Sequence, residues 1–297
     1  MFSLWNGLPI VLRAALTGIL LSAVGTIPWA VLVALNLQFL PNLPWAVLPT
    51  ALYLWLYWMY LKGAGWPQST AEVRRASLRA NALSEEVWGA AILAGILGIA
   101  TLVILSRILN RFIALPQERV EDLSHVPAWS LALILLTSAL VAGIVEEASF
   151  RGYMQGSLEK RHGPLVAILV TGVVFALAHF THRETTLIMM PYYLAVAAVY
   201  GALAYLTNSI LPGLVLHAGG NFLAGVGLLA RGHREWQTST EPTPPIWETG
   251  PDVSFWISCF AALVVGTAAV WAYVSLGRSA RTALERRNQA TLDPVPK

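Results

Sequence analysis

Glu146 and Glu147 are adjacent carboxylates in the stretch V-A-G-I-V-E-E-A-S-F-R-G-Y-M-Q-G, residues 141–156. The apolar run leading to them begins near Trp129 and holds no other charge. An ionisable residue in hydrocarbon-like surroundings is costly unless partnered, so it marks a functional site by default. On an α-helix, Glu147 and Arg151 share a face, whereas Glu146 is turned about 100° from Glu147. The expectation is a structural ion pair between Glu147 and Arg151, with Glu146 left to find partners on other helices. Three more polar residues interrupt apolar runs: His179 in V-F-A-L-A-H-F, and His217 and Asn221 in L-V-L-H-A-G-G-N-F. His217 and Asn221 share a helical face, and Gly219 and Gly220 between them let a neighbouring helix or a substrate backbone come close. Gathered at one point, Glu146, His179, His217 and Asn221 suit hydrolysis of an amide bond. They offer a general base for water and donors for the developing oxyanion. Glu146, His179 and His217 would also suit a zinc ion with water in the fourth position. Zinc is thus the one cofactor these residues suggest, and the sequence leaves the reading with metal and the reading without it both open.

Each residue also has a purely structural reading. An isolated intramembrane histidine is more often a packed helix contact than a catalyst, and for His179 taken alone that reading is kept. His217 and Asn221 are balanced between interhelical hydrogen bonding and a site. The acidic pair leans further towards a site, because one ion pair with Arg151 leaves a carboxylate still to be satisfied. His162, His182 and His233 fall in polar loops and are read as solvated, while Gly152, Gly156, Gly172 and Gly201 are read as packing positions. The single cysteine, Cys259, excludes an internal disulfide and a cysteine-based metal cluster.

The elements that must carry these residues are membrane spans. Only 12% of the 297 residues are charged and 56% are hydrophobic, far from the roughly 25% charged residues of a soluble domain. The net charge of +3 is scattered over loops, and no nucleic-acid motif is present. Counting runs of about 20 apolar residues predicts an all-α polytopic membrane protein of about eight spans. They run from about Val11 to Asn36, Trp45 to Leu61, Val87 to Leu109, Trp129 past the acidic pair, Leu165 to Phe180, Thr186 to Leu206, Ile210 to Ala230, and Val253 to Leu276. Ser69-Thr70-Ala71-Glu72 resembles a helix start, and Val73–Leu83, with Arg74, Arg75 and Arg79, suits a short helix on the membrane surface. The chain divides into 1–128, three spans with a basic loop; 129–230, the catalytic core of spans four to seven; and 231–297, a polar loop, the eighth span and a basic tail. With both termini cytoplasmic, Arg13, Lys62, Arg74, Arg75, Arg79, Lys160, Arg161, Arg278, Arg281, Arg286, Arg287 and Lys297 lie inside. Arg107, Arg111, Arg119, Arg183, Arg231 and Arg234 then lie outside, a twofold bias in the direction of the positive-inside rule. The first expectation for location is the cell membrane.

The polar residues fall into three motifs: Glu146-Glu147-Ala-Ser-Phe-Arg151, Phe175-Ala-Leu-Ala-His179 and His217-Ala-Gly-Gly-Asn221. In that order, on separate spans, they resemble the Glu-Glu-x-x-x-Arg, Phe-x-x-x-His and His-x-x-x-Asn motifs of the CAAX protease and bacteriocin-processing (CPBP) family. These are intramembrane proteases like the type II CAAX prenyl endopeptidases. Flanks match too, with Phe150-Arg151-Gly152-Tyr153 after the acidic pair and Gly201 through Leu-Thr-Asn-Ser-Ile-Leu-Pro before His217. The resemblance covers about Leu131 to Val226. It implies an all-helical protease of eight spans with a catalytic cavity inside the bundle, open to the cytoplasmic side. In that scheme Glu146 activates water with help from His179, His217 and Asn221 stabilise the oxyanion, and Glu147 and Arg151 support them. The family is often labelled metalloprotease, and a metal-free glutamate mechanism has also been proposed for it. The substrate implied is a membrane-associated peptide or lipidated protein, with prenylated CAAX-type proteins as the family's eukaryotic example.

Two other classes compete with a protease that works among membrane lipids. One is a non-catalytic membrane protein, such as an immunity or assembly factor, that binds a partner through the same polar cluster. The other is a proton-coupled transporter using Glu146 and His179 as a relay. Against the transporter stand the lack of an internal repeat and the gathering of polar groups in one half of the chain.

Overall fold

The computed structural model describes residues 5, 7–113, 122–179, 189–232 and 244–292. It is 84% helical, with no β-strand element among the described residues. In chain order the elements are α1 (Ile10–Phe39), α2 (Val47–Leu61), a 3-10 turn (Gln68–Thr70), α3 (Ala71–Leu78), α4 (Glu85–Leu109) and α5 (Ala128–Val141). A π-helix (Ala142–Gln155) follows, then α6 (Gly156–Ala178), α7 (Met190–Thr207), α8 (Leu211–Ala230), α9 (Ile246–Thr249) and α10 (Val253–Leu292). Outside the described residues lie Glu118, Arg119 and Glu121, His182, Arg183 and the expected sixth-span start at Thr186, His233, Arg234 and most of the polar loop before α9, and Lys297.

Among the described residues six helices are long and apolar enough to cross a membrane. One of them, Ala128–Ala178, is a 51-residue run through α5, the π-helix and α6. It breaks at Gly163, whose φ of 75° and ψ of 171° lie outside helical space, just before Pro164. A positive φ favours glycine, and the proline that follows lacks the N–H needed to continue the ladder. The expected eight spans count the two arms of this run separately and include the apolar 15-residue α2. The protein is an all-α polytopic membrane protein. Its outer face is accordingly hydrocarbon: Leu20, Ile27, Leu52, Phe260, Leu263 and Trp271 are all exposed.

The π-helix sits at the centre of the packing. Val145 and Ala148 join Leu54, Tyr57 and Leu61 of α2, Leu78 of α3 and Ile210 in one buried cluster. Phe150 and Met154 join Ala14 of α1 and Leu158, Ala167 and Phe175 of α6 in another. In a bilayer apolar burial does not drive helices together, so close approach through small residues matters more. α4, α7 and α10 form a separate group, with Ala91, Ala94, Leu203, Ala272 and Leu276 at its core. α10 starts from Asp252, whose Oδ1 accepts the Phe255 N–H at 2.7 Å and whose Oδ2 takes Arg111 Nη1 at 2.6 Å. Those bonds hold the Asp252 carboxyl below the usual carboxylate range.

Two expectations are corrected. The segment bearing the acidic pair is π-helical over 14 residues rather than α-helical, a rare geometry that is frequent at functional sites in its single-turn form. The basic helix α3 does not simply float on the surface, because Arg74 and Arg79 are both buried. Arg74 lies over the Tyr60 ring at 4.0 Å and donates to the carbonyls of Tyr60 and Ala64, tying off the end of α2. The physical reason is backbone demand: the turn after α2 leaves carbonyls inside the fold, and a guanidinium with five donors satisfies several at once.

Candidate active site

Glu147 lies on the π-helix and is fully buried. Its Oε1 stands 3.3 Å from Arg151 Nη1 and accepts from His217 Nδ1 at 3.1 Å. Against an ionised carboxylate Nδ1 must carry the proton, which fixes the orientation of the His217 ring. Its Nε2 then faces Glu146, with Oε2 at 3.8 Å. Both carboxylates therefore converge on one imidazole. Glu146 and Glu147 thus share one partner on another helix, although adjacent helical residues point in different directions. Glu146 is the more accessible, with 21% of its side chain exposed against 0% for Glu147.

His217 arrives on α8, and two glycines let that helix come close enough. A Cβ on Gly213 would stand 2.8 Å from Glu147 Oε2, and one on Gly143 would stand 2.7 Å from Ala218 Cβ. Any side chain at Gly213 would therefore push α8, and His217 with it, away from the acidic pair.

Arg151 is fully buried. Its charge is met by Glu147 and by two aromatic faces, Phe175 at 4.7 Å and Tyr200 at 5.4 Å from the guanidinium carbon. None of its side-chain nitrogens has a well-aligned hydrogen bond among the described residues, and neither does Glu147 Oε2. Tyr200, from α7, also packs against His217 with ring centroids 5.2 Å apart. Sequence reasoning passed over Tyr200, because an aromatic in a membrane span has many bland explanations.

His179 and Asn221 are placed differently. His179, at the end of α6, directs Nδ1 to the Phe175 carbonyl at 2.7 Å and packs against the rings of Phe175 and Tyr193. No hydrogen bond or ion pair joins it directly to Glu146. It reaches the centre through Phe175, whose ring lies under Arg151. Asn221 is exposed, one turn beyond His217, and makes no hydrogen bond among the described residues. The structure thus gathers Glu146, Glu147, Arg151 and His217 tightly, with His179 and Asn221 outside that contact set.

Arg79 is the residue that sequence reasoning missed. It sits at the end of α3 with φ 55° and donates to Asn208 Oδ1 at 3.2 Å, Ala204 O at 2.8 Å and Arg151 O at 3.3 Å. It also pairs with Glu159 at 3.1 Å. At the end of the π-helix the Gly156 N–H donates to Gly152 O, four residues back. That return from five-back to four-back spacing leaves the Arg151 carbonyl in need of another donor, and Arg79 supplies it. Gln155 continues the network, donating to Glu159 Oε1 and Gly201 O. The one sequence signal was an arginine next to a helix end; its partners lie 72 and more residues away along the chain.

Among the described residues no three His, Cys, Asp or Glu side chains are grouped to hold a metal ion. Glu146, His179 and His217 are thus not gathered as a ligand set in this geometry. A cavity of about 1350 Å³ lies between α4, α7 and α10, and a smaller one of about 500 Å³ lies near Trp29, Val33 and His125. Neither is lined by the acidic pair or by His217.

No curated protein and no solved structure matches the chain. Residues 128–223, about a third of the chain, match the family model described as Rce1-like, type II CAAX prenyl endopeptidase Rce1-like. That segment starts with α5 and ends just after Asn221, so it contains the π-helix, α6, α7 and the His217 turn of α8. The part of the protein that builds the acidic centre is therefore similar to the Rce1-like family, in agreement with the CAAX-type protease family that its three motifs resemble.

Proposed function

We propose that the protein is an intramembrane endopeptidase that hydrolyses a peptide bond of a membrane-associated substrate through a glutamate-activated water. The observation that carries this reading is the convergence of Glu146 and Glu147 on His217 within the Rce1-like segment. Glu146, the accessible carboxylate, takes the proton as the water oxygen attacks the carbonyl carbon. His217, held through Nδ1 by Glu147, presents Nε2 to the same space. The 3.8 Å between Nε2 and Glu146 Oε2 is longer than a hydrogen bond, so an oxygen can be shared between the two groups. With both ring nitrogens protonated, His217 donates to the developing oxyanion. Collapse of the tetrahedral intermediate breaks the C–N bond, and Glu146 returns its proton to the leaving amine. His179 and Asn221 are assigned to substrate and oxyanion binding at the margin. The cell membrane is the proposed location, with both termini cytoplasmic.

The test is cleavage of a prenylated CAAX-type reporter peptide by the detergent-purified protein. Glu146→Gln should lower the rate about 10²–10⁴-fold while the melting temperature stays within a degree or two of wild type. A chelator should leave the wild-type rate unchanged. Loss of activity to the chelator with rescue by zinc would replace the metal-free step. Equal cleavage by Glu146→Gln and wild type would remove Glu146 from the chemistry.

A further inference from the structure

The cavity of about 1350 Å³ is separate from the acidic centre and has its own chemistry. α4, α7 and α10 line it with small and apolar side chains, among them Gly98, Ala198, Ala202 and Ala269. At one end its lining changes to Asn208, Arg278 and Arg281. Gly277 packs against Leu206 there, which sets the two arginines beside the C-terminal end of α7. Arg278 and Arg281 are exposed, and neither has an ion-pair partner among the described residues. A neighbouring arginine, Arg286, does have one, Glu86 at 3.5 Å.

The groove also has a length. Along α7 its apolar wall runs from Ala195 to Leu206, which at 1.5 Å per residue is about 17 Å. One leaflet is half of a hydrocarbon core of about 30 Å, so the wall spans one leaflet and the cations stand at its head-group level. An apolar slot one leaflet deep, capped by two unpaired guanidiniums, matches an amphiphile with a long tail and an anionic head. We propose that this groove is a binding site for one anionic phospholipid, with its phosphate on Arg278 and Arg281 and an acyl chain along α7. The lipid would fill the junction of α4, α7 and α10, the group least connected to the π-helix, and brace α7 from the side opposite Tyr200 and Gly201. The proposal is independent of whether the acidic centre is proteolytic.

Native mass spectrometry of the full-length protein in detergent tests it, titrating phosphatidylglycerol and phosphatidylcholine with the same acyl chains. Wild type should retain phosphatidylglycerol at least fivefold more tightly. The double variant Arg278→Gln/Arg281→Gln should bring the two lipids level, while Arg287→Gln, on the same helix but outside the groove, should keep the preference. Ala202→Leu, which narrows the slot, should weaken both lipids, with its melting temperature recorded to show that it folds. Equal binding of the two lipids by wild type would overturn the site. So would a preference that survives the double variant, or one lost equally in Arg287→Gln. Tighter binding of a neutral isoprenoid alcohol than of phosphatidylglycerol would give the groove to an isoprenoid chain and likewise overturn the proposal.

Discussion

Glu147 and Glu146 are adjacent in sequence but stand in different surroundings. Glu147 has no exposure and holds two partners, Arg151 and His217, on one oxygen. Glu146 keeps a fifth of its side chain accessible and, among the described residues, makes the long approach to His217 rather than a hydrogen bond. Removing the charge of Glu147 would leave Arg151 buried without its counter-ion, which in comparable cases costs about 3–5 kcal/mol. Glu147→Gln should therefore lower the melting temperature and cleavage activity together, whereas Glu146→Gln should lower activity alone. A double variant, Glu147→Met/Arg151→Met, removes both buried charges; it should regain most of the stability without regaining activity. Thermal melts beside reporter cleavage separate these outcomes, and equal destabilisation by the two single variants would contradict the division of labour.

The π-helix is the element on which the site depends, and it is held from outside. Its turn back to α spacing frees the Arg151 carbonyl, and Arg79 of α3 reaches it while also bonding Ala204 and Asn208 near the end of α7. Ser77 and Leu78 carbonyls pack against Gly152 closely enough that a Cβ there would stand 3.0 and 2.9 Å away. α3 is thus a wedge between the π-helix and the turn joining α7 to α8. Arg79→Ala should speed amide exchange over residues 151–156 and reduce cleavage about tenfold or more. Arg79→Lys, a point charge without the planar fork, should recover only part of either. If Arg79→Ala leaves both exchange and cleavage unchanged, the π register does not depend on α3.

At the scale of the whole molecule, two groups of helices divide the work. The π-helix gathers α1, α2, α3, α6 and α8 around the acidic centre, while α4, α7 and α10 form the wall that carries the proposed lipid groove. α7 belongs to both, presenting Tyr200 to His217 and its opposite side to the groove. The basic residues of α3 and of the α10 tail lie at one end of this arrangement, which predicts a cytoplasmic face there. Single cysteines placed in a Cys259→Ser background at Gln68 and Arg287 should be labelled by a membrane-impermeant reagent only after the cells are opened. One placed at Thr249 should be labelled in intact cells. The reverse pattern would invert the orientation.

Composition and hydropathy alone determined that the chain is an all-α membrane protein, because crossing a bilayer forces long apolar helices with their backbone bonds internal. The three spaced motifs pointed to the polar residues of the candidate site, since so few interrupt the apolar runs that each one is conspicuous. Only the tertiary structure decided how they meet. A π register depends on which carbonyls can find outside donors, and those donors come from Arg79, far away in sequence. The reach of His217 to both carboxylates depends on helix approach at Gly213 and Gly143, a matter of packing distance that periodicity does not encode. The burial of Arg74 and Arg79 was hidden for the same reason: a basic helix reads as solvated until the backbone it must satisfy is folded around it.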